Sequence, residues 1–499
     1  MDEKGPFFLK IYVHAIRKDD GSGGQSQQEI KEALGYLDEA FNRHNIFFVW
    51  DCEIDEINNS SLYVQVDPGA NVFTDPNNNP HSDGIDIYLF PDHPSPNANG
   101  AGLAEDYGST AFYVTGNYSL PPYGSRVKSH VLSHEIGHCL GLLHTHHYTA
   151  SAGDKPSTDF EIAVQSKDPG NCLIAGDCVC DTPADPDIYY EVNHPTCTWD
   201  GYDEDINGDT FNPSTDNIMS YTHDNCYKEF TEGQGKRMRN VIAILPILQD
   251  CIVKQTVSST TTWDINNTPS GVVDINGTLE IESGATLTIA AGVTVRFGRQ
   301  SRLIIKPNAT LILEGTLTSN GCANTCTGTG FCGDTWKGVE VWGNSSTHQF
   351  TLNGQREQGR FVGRSGSLVE NAEVAVQLWG PSKHFDSGGV INCNGTTFKN
   401  NRIGIDFFKY ENFYPSNYPP SYAGNPTRYF ANFTECSFLT DDDYPHGENF
   451  AAFVNMVEVD GPRFTGCSFV NTYTPINLDN ITAYGYGIFA DDAEFRVQA

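Results

Sequence analysis

Apolar residues in the first half of the chain follow two periods. Residues 7–16, FFLKIYVHAI, alternate as a β-strand does. Residues 27–45, QQEIKEALGYLDEAFNRHN, carry apolar side chains at helical spacing and predict the first long helix. IFFVWDCEI, SLYVQV and GIDIYLF (84–90) read as further strands. After a Pro/Asn/Gly loop at 91–101, AGLAEDYGSTAFYV predicts an edge strand, and a second helix follows within 125–145. Residues 146–216 are irregular and rich in Asp, Gly and Pro, and FTEGQGKRMRNVIAIL (230–245) predicts a closing helix. One sheet backed by two helices is an α/β (α+β) layered domain, assigned here to residues 1–254.

Near residue 255 the texture changes. GVVDINGTLEIESGATLTIAAGVTVRFGRQSRLIIKPNATLILEGTLTS is a series of short alternating runs punctuated by Gly and Asn, the pattern of stacked rungs. FTECSF (433–438) and FTGCSF (464–469) echo each other, with VINCNGTTFKNN around Cys393 as a looser third copy. In a solenoid, equivalent positions stack, so these cysteines and phenylalanines are expected to line a continuous interior as free thiols and rings. Residues 255–499 are read as an all-β repeat domain cut short at its end.

Charge and cysteine usage narrow the class. A formal net charge of −33 repels nucleic acid and anionic membranes and suits bound calcium. No stretch is long and apolar enough to span a membrane. Fourteen cysteines point to an oxidising compartment, although MDEKGPFFLKIYVHAIRKDD is no signal peptide, so a leader and any prosegment are expected to be missing. Cys322, Cys326 and Cys332 sit in one loop and suit a disulfide with one thiol left over better than a metal. The pairing of Cys52, Cys178 and Cys251 is not legible.

The chemistry lies in SRVKSHVLSHEIGHCLGLLHT (125–145). His134 and His138 are four residues apart, so a helix puts both imidazoles on one face. Gly141 can end that helix in a left-handed conformation, and His144 then returns as a third ligand. Three protein ligands leave one corner of a tetrahedral zinc open, which marks a catalytic site. Glu135 sits next to the first ligand, within reach of a metal-bound water. Cys139 lies off the ligand face and reads as a buried thiol. Met219, in Asn217-Ile218-Met219-Ser220-Tyr221, is either an ordinary core residue or the apolar floor beneath the histidines. Asp203–Asp209 has the alternating oxygens of a calcium loop but no Glu at position twelve, where Ser214 stands, and reads as a surface turn.

With the zinc motif, Asp181-Thr182-Pro183 and the Asn217–Tyr221 turn in hand, the first 250 residues resemble the metzincin metallopeptidases, and among them the pappalysin family. The likeness covers HEIGHCLGLLHT, GDCVCDTPADP, the methionine turn, Cys226 with Phe230-Thr231, and the helix holding Arg237 and Met238. It implies zinc held by His134, His138 and His144, Glu135 as general base and acid, and Met219 in the Met turn. It also implies Tyr221 near the metal and disulfides Cys172–Cys180 and Cys197–Cys226; the extra Cys178 departs from the family pattern. Asp177 and Thr182 correspond to calcium-binding positions, and Asp224 to a pocket for the residue after the cut, implying preference for Arg or Lys there. The tail is similar to right-handed parallel β-helix modules of secreted bacterial proteins.

The expected function is therefore a secreted, bacterial zinc endopeptidase acting on proteins or peptides, with calcium as a second ion. The alternative is an adhesion protein whose tail binds glycan or a cell surface and whose zinc domain is vestigial.

Overall fold

The computed structural model of the 499-residue chain describes residues 5–65, 69–91, 102–115, 127–147, 160–163, 170–189, 191–193, 195–222, 225–321, 335–352, 354, 356–446, 448–474 and 485–498. The chain divides into two compact units between Val253 and Lys254.

The first unit is built on a mixed sheet. β1 (Phe7–Arg17) lies at its centre, flanked by β2 (Ile46–Val49), β3 (Ile54–Asn58) and β4 (Ile85–Leu89), all parallel to it. β4 continues to β6 (Ala111–Val114), and β5 (Gly102–Ala104) closes the edge antiparallel to β6. Ile11, Val13, Ile87 and Phe112 face the helices Gln27–Phe41 and Val131–Cys139 in one apolar core. Ser26 starts the first helix with a reciprocal capping box through Glu29. Thr231 and Gln234 do the same for the closing helix, Glu232–Ile244.

Two expected strands differ. SLYVQV does not extend: Ser60–Tyr63 is a short helix, because the Asn59 side chain accepts hydrogen bonds from the amides of Ser61 and Leu62. Residues 101–114 form two strands rather than one. The chain reverses between them at Asp106–Ser109, with Gly108 at φ +73°, so that only β5 is the edge.

Among the described residues the second unit is built on three all-parallel sheets of eight, seven and eight strands, with a short antiparallel ladder between Asn412–Phe413 and Pro426–Thr427 beside them. Strands pair with their counterparts one coil later, in register over most of the stack, as in Leu279 over Leu303, Leu287 over Leu311 and Val295 over Leu317, with shifts at Gly338/Val339 and Asp460/Arg463. This is the arrangement of a parallel solenoid. Its apolar residues stack as columns, which lets every rung bury side chains that it could not bury alone. Phe398, Phe438 and Phe469 form one ladder with centroids 5.0 and 4.8 Å apart, and Phe433 stacks on Phe464 at 4.8 Å. The cysteines do not form one column. Thr397 pairs with Ser437 and Ser437 with Ser468, which sets Cys436 and Cys467 at equivalent corners, whereas Cys393 pairs with Phe433 inside a strand. All three thiols are free. Cys322, Cys326 and Cys332 lie outside the described residues.

Candidate metal centre

The helix Val131–Cys139 is buried along its whole length, and Gly141, at φ +83°, ends it. A side chain at 141 would meet Val241 of the closing helix, so both the turn and the close approach require glycine. The chain turns back there and brings His144 over the helix.

The Nε2 atoms of His134, His138 and His144 form a triangle with edges of 3.2, 3.0 and 3.1 Å. Two of these rings have their other nitrogen committed. Nδ1–H of His134 donates to the Ile218 carbonyl at 2.6 Å, and Nδ1–H of His138 to the Leu142 carbonyl at 2.8 Å. That fixes the tautomer and turns bare Nε2 lone pairs toward one point. Burial holds His134 down at about 3 and His138 at about 4, and lowers His144 as well, so the rings stay neutral, the form that binds metal. Lone pairs this close repel unless a cation lies between them. Ligands about 2.0–2.1 Å from a tetrahedral zinc stand about 3.3 Å apart, so the triangle fits zinc.

Glu135 is buried beside this triangle and accepts the Ala104 amide of the edge strand β5. Burial pushes its carboxyl up to about 8; a divalent cation beside it pulls in the opposite sense. A Cβ on Gly102 would come within 2.6 Å of Glu135 Oε1, so β5 approaches the carboxylate only because residue 102 lacks a side chain. Met219 is fully buried, with its sulfur against Gly137 on the underside of the helix. The Tyr221 ring lies 4.5 Å from that of His144 and is partly exposed.

One organising residue has no signal of its own in the sequence. Asp185, fully buried, accepts the hydroxyls of Thr145 at 2.6 Å and Ser220 at 2.7 Å. It thereby ties the segment after the third histidine to the methionine turn. Arg237 adds a second tie, donating to the carbonyls of Gly141 and Asp177. The Thr182 hydroxyl donates to the Asp177 carboxylate, with Glu161 buried nearby. Cys139 lies off the triangle, its sulfur 3.6 Å from Ser109 Oγ and the Ala111 carbonyl. Cys172–Cys180 and Cys197–Cys226 are disulfides, and Cys178 is free. Asp205 accepts the amides of Asn207 and Asp209, which makes Asp203–Asp209 a turn organised from within. Asp224 lies outside the described residues.

Residues 97–243 match the family model of the pregnancy-associated plasma protein-A peptidases (M43). The first unit is a pappalysin-like metzincin. This metzincin is similar to an extracellular metalloprotease of Colletotrichum graminicola, with 26% identity over 251 residues, 47% of this chain and 76% of that protein. An extracellular metalloprotease of Podospora anserina is 32% identical over 141 residues, 27% of this chain and 38% of that protein. Mature mirolysin of Tannerella forsythia, solved with a cleaved peptide, aligns over 50% of this chain and 96% of its own, at 17% identity and a TM-score of 0.34. The pappalysin-like unit is a zinc metalloprotease.

Proposed function

We propose that the protein is a secreted endopeptidase in which His134, His138 and His144 hold the zinc and Glu135 moves the proton. The observation that carries this reading is the Nε2 triangle with Glu135 buried at its side. When bound, zinc supplies Lewis-acid activation of water and of the scissile carbonyl. Glu135 takes the proton of the attacking water and passes it to the leaving nitrogen. Its carboxylate is oriented by the hydrogen bond from the Ala104 amide of the edge strand. The Tyr221 hydroxyl donates a hydrogen bond to the oxyanion, a charge present only as the barrier is crossed. An extended substrate adds to the outer edge of β5, Gly102–Ala104, which pairs with no further strand among the described residues and lies next to the base. The assay is cleavage of denatured protein by parent and Glu135→Ala, with and without chelator. Equal rates for the two proteins remove Glu135 from this role.

Asp224, assigned by the family resemblance to the pocket for the residue after the cut, would favour Arg or Lys there, since a carboxylate in such a pocket needs a cationic partner. A cleavage-site profile with an apolar preference there, unchanged in Asp224→Ala, rejects that assignment. Calcium at Asp177 and Thr182 is supported by three buried carboxylates, Glu161, Asp177 and Asp185, which a cation would stabilise. Secretion is supported by the two disulfides and by relatives named as extracellular.

A further inference from the structure

The sheet of the first unit carries a second cluster of ligand-type side chains on the face opposite the zinc helix. Strand alternation sends Ile11 and Val13 toward that helix and Tyr12 and His14 away from it. On the far side, β1 supplies His14, β4 supplies Asp86, β3 supplies Asp55, and the loop before β4 supplies His81. His14 is fully buried and Asp86 almost so. Asp86 Oδ1 lies 2.8 Å from His14 Nε2 and 2.7 Å from His81 Nδ1, and its Oδ2 accepts the His81 amide at 2.8 Å. One ligand atom from each of His14, His81 and Asp86 lies within 4.8 Å of the other two.

The remaining nitrogens of both rings converge on a second carboxylate. Asp55 Oδ2 is 3.7 Å from His14 Nδ1 and 3.6 Å from His81 Nε2. Both separations exceed a hydrogen bond, and His14 Nδ1, with no exposure to water, has no hydrogen-bond partner. Tyr12 stacks on His81 at 3.4 Å and Tyr88 on His14 at 4.3 Å, which holds both imidazoles edge-on to the carboxylates. Two carboxylates thus face the nitrogens of both rings, with His14 and Asp86 buried and Asp55 and His81 at the rim, and a divalent cation among them would offset the carboxylate charge.

The geometry points to a second metal site, in which His14 Nε2, His81 Nδ1 and Asp86 hold a first-row divalent ion on the back of the sheet. Asp55 then serves both rings from outside, accepting their free N–H groups as carboxylates commonly do behind metal-bound histidines. Binding moves the ligand atoms about half an ångström apart, toward the roughly 3.3 Å spacing of a tetrahedral zinc shell. The ion is structural. It pins the loop carrying His81 to strands β1 and β4, with His14 fully buried beneath it.

The test is metal stoichiometry on the full chain. Protein stripped with chelator is reloaded with zinc or cobalt(II), freed of excess by gel filtration, and analysed for metal. The parent is expected to hold two ions per chain. His81→Ala and Asp86→Asn are each expected to hold one, to keep peptidase activity within about twofold, and to lose the rise in melting temperature that accompanies filling of the second site. His138→Ala, altered only at the zinc triangle, is also expected to hold one. A parent with one ion and a His138→Ala variant with none reduce the cluster to a hydrogen-bonded His–Asp–His network and overturn the proposal. Equal occupancy in parent and His138→Ala instead rejects the zinc assignment at the triangle while leaving the second site standing.

Discussion

The two units use sequence differently. In the solenoid a residue's neighbours are set by a repeat: Phe438 touches Phe398 and Phe469 because each occupies the same place in its own rung. In the metzincin unit the decisive neighbours are far apart in the chain. His134 is fixed by Ile218, Glu135 by Ala104, and Thr145 by Asp185. A ladder spreads stability over many equivalent contacts, whereas a site concentrates it in a few unrepeated ones. Damage to the first is expected to be graded and local, and damage to the second to be abrupt.

The sharpest break is expected at the base. Glu135→Ala should lower kcat by at least the 10²–10⁴-fold typical of a lost proton carrier, with zinc content unchanged. His138→Ala should lose the metal as well, and metal analysis beside the assay separates the two. Next is the ladder. Phe438→Ala should destabilise the second unit by about 3–5 kcal/mol, read by denaturant unfolding, while peptidase activity persists. A loss of zinc in that variant would show that the units are not independent.

The hub should respond less. Asp185→Asn keeps the shape but replaces a carboxylate that accepts two hydroxyls, at a cost of about 1–3 kcal/mol and a several-fold fall in kcat. Phe438→Ala should leave kcat unmoved, which makes the pair a direct test of the contrast. The smallest effect concerns pH. Burial raises Glu161 to about 9 and Asp177 to about 7, above their unfolded values. Each group's contribution is fully present below its unfolded pKa and is lost as pH rises to the folded value, at about 1.4 kcal/mol per unit while the two differ in protonation. Calcium-free protein should therefore lose melting temperature between about pH 4.5 and 9. Added calcium should flatten that slope if Asp177 binds it.

The strands of β1 and β4, the two long helices and the solenoid rungs were legible because each follows a local period. Asn59 made Ser60–Tyr63 a short helix because a cap at one end outweighs β-propensity over a few residues. The reversal at Asp106–Ser109 was hidden because an apolar run does not reveal where it folds back on itself. Within the site, the three histidines could be named from spacing. Asp185 could not, since one Asp among many in an irregular segment carries no mark of burial.

By itself the sequence determined what short-range geometry can encode: which residues alternate, which share a helix face, where glycine lets a helix stop, and which side chains have the chemistry to hold zinc. Tertiary structure alone decided what meets across long stretches of chain. It placed Ala104 on Glu135, Met219 beneath Gly137, Asp185 between two loops, and Asp55 and Asp86 around His14 and His81. The reason is physical. Local periodicity is fixed by backbone geometry within a few residues, whereas burial and partnership depend on where the whole chain packs.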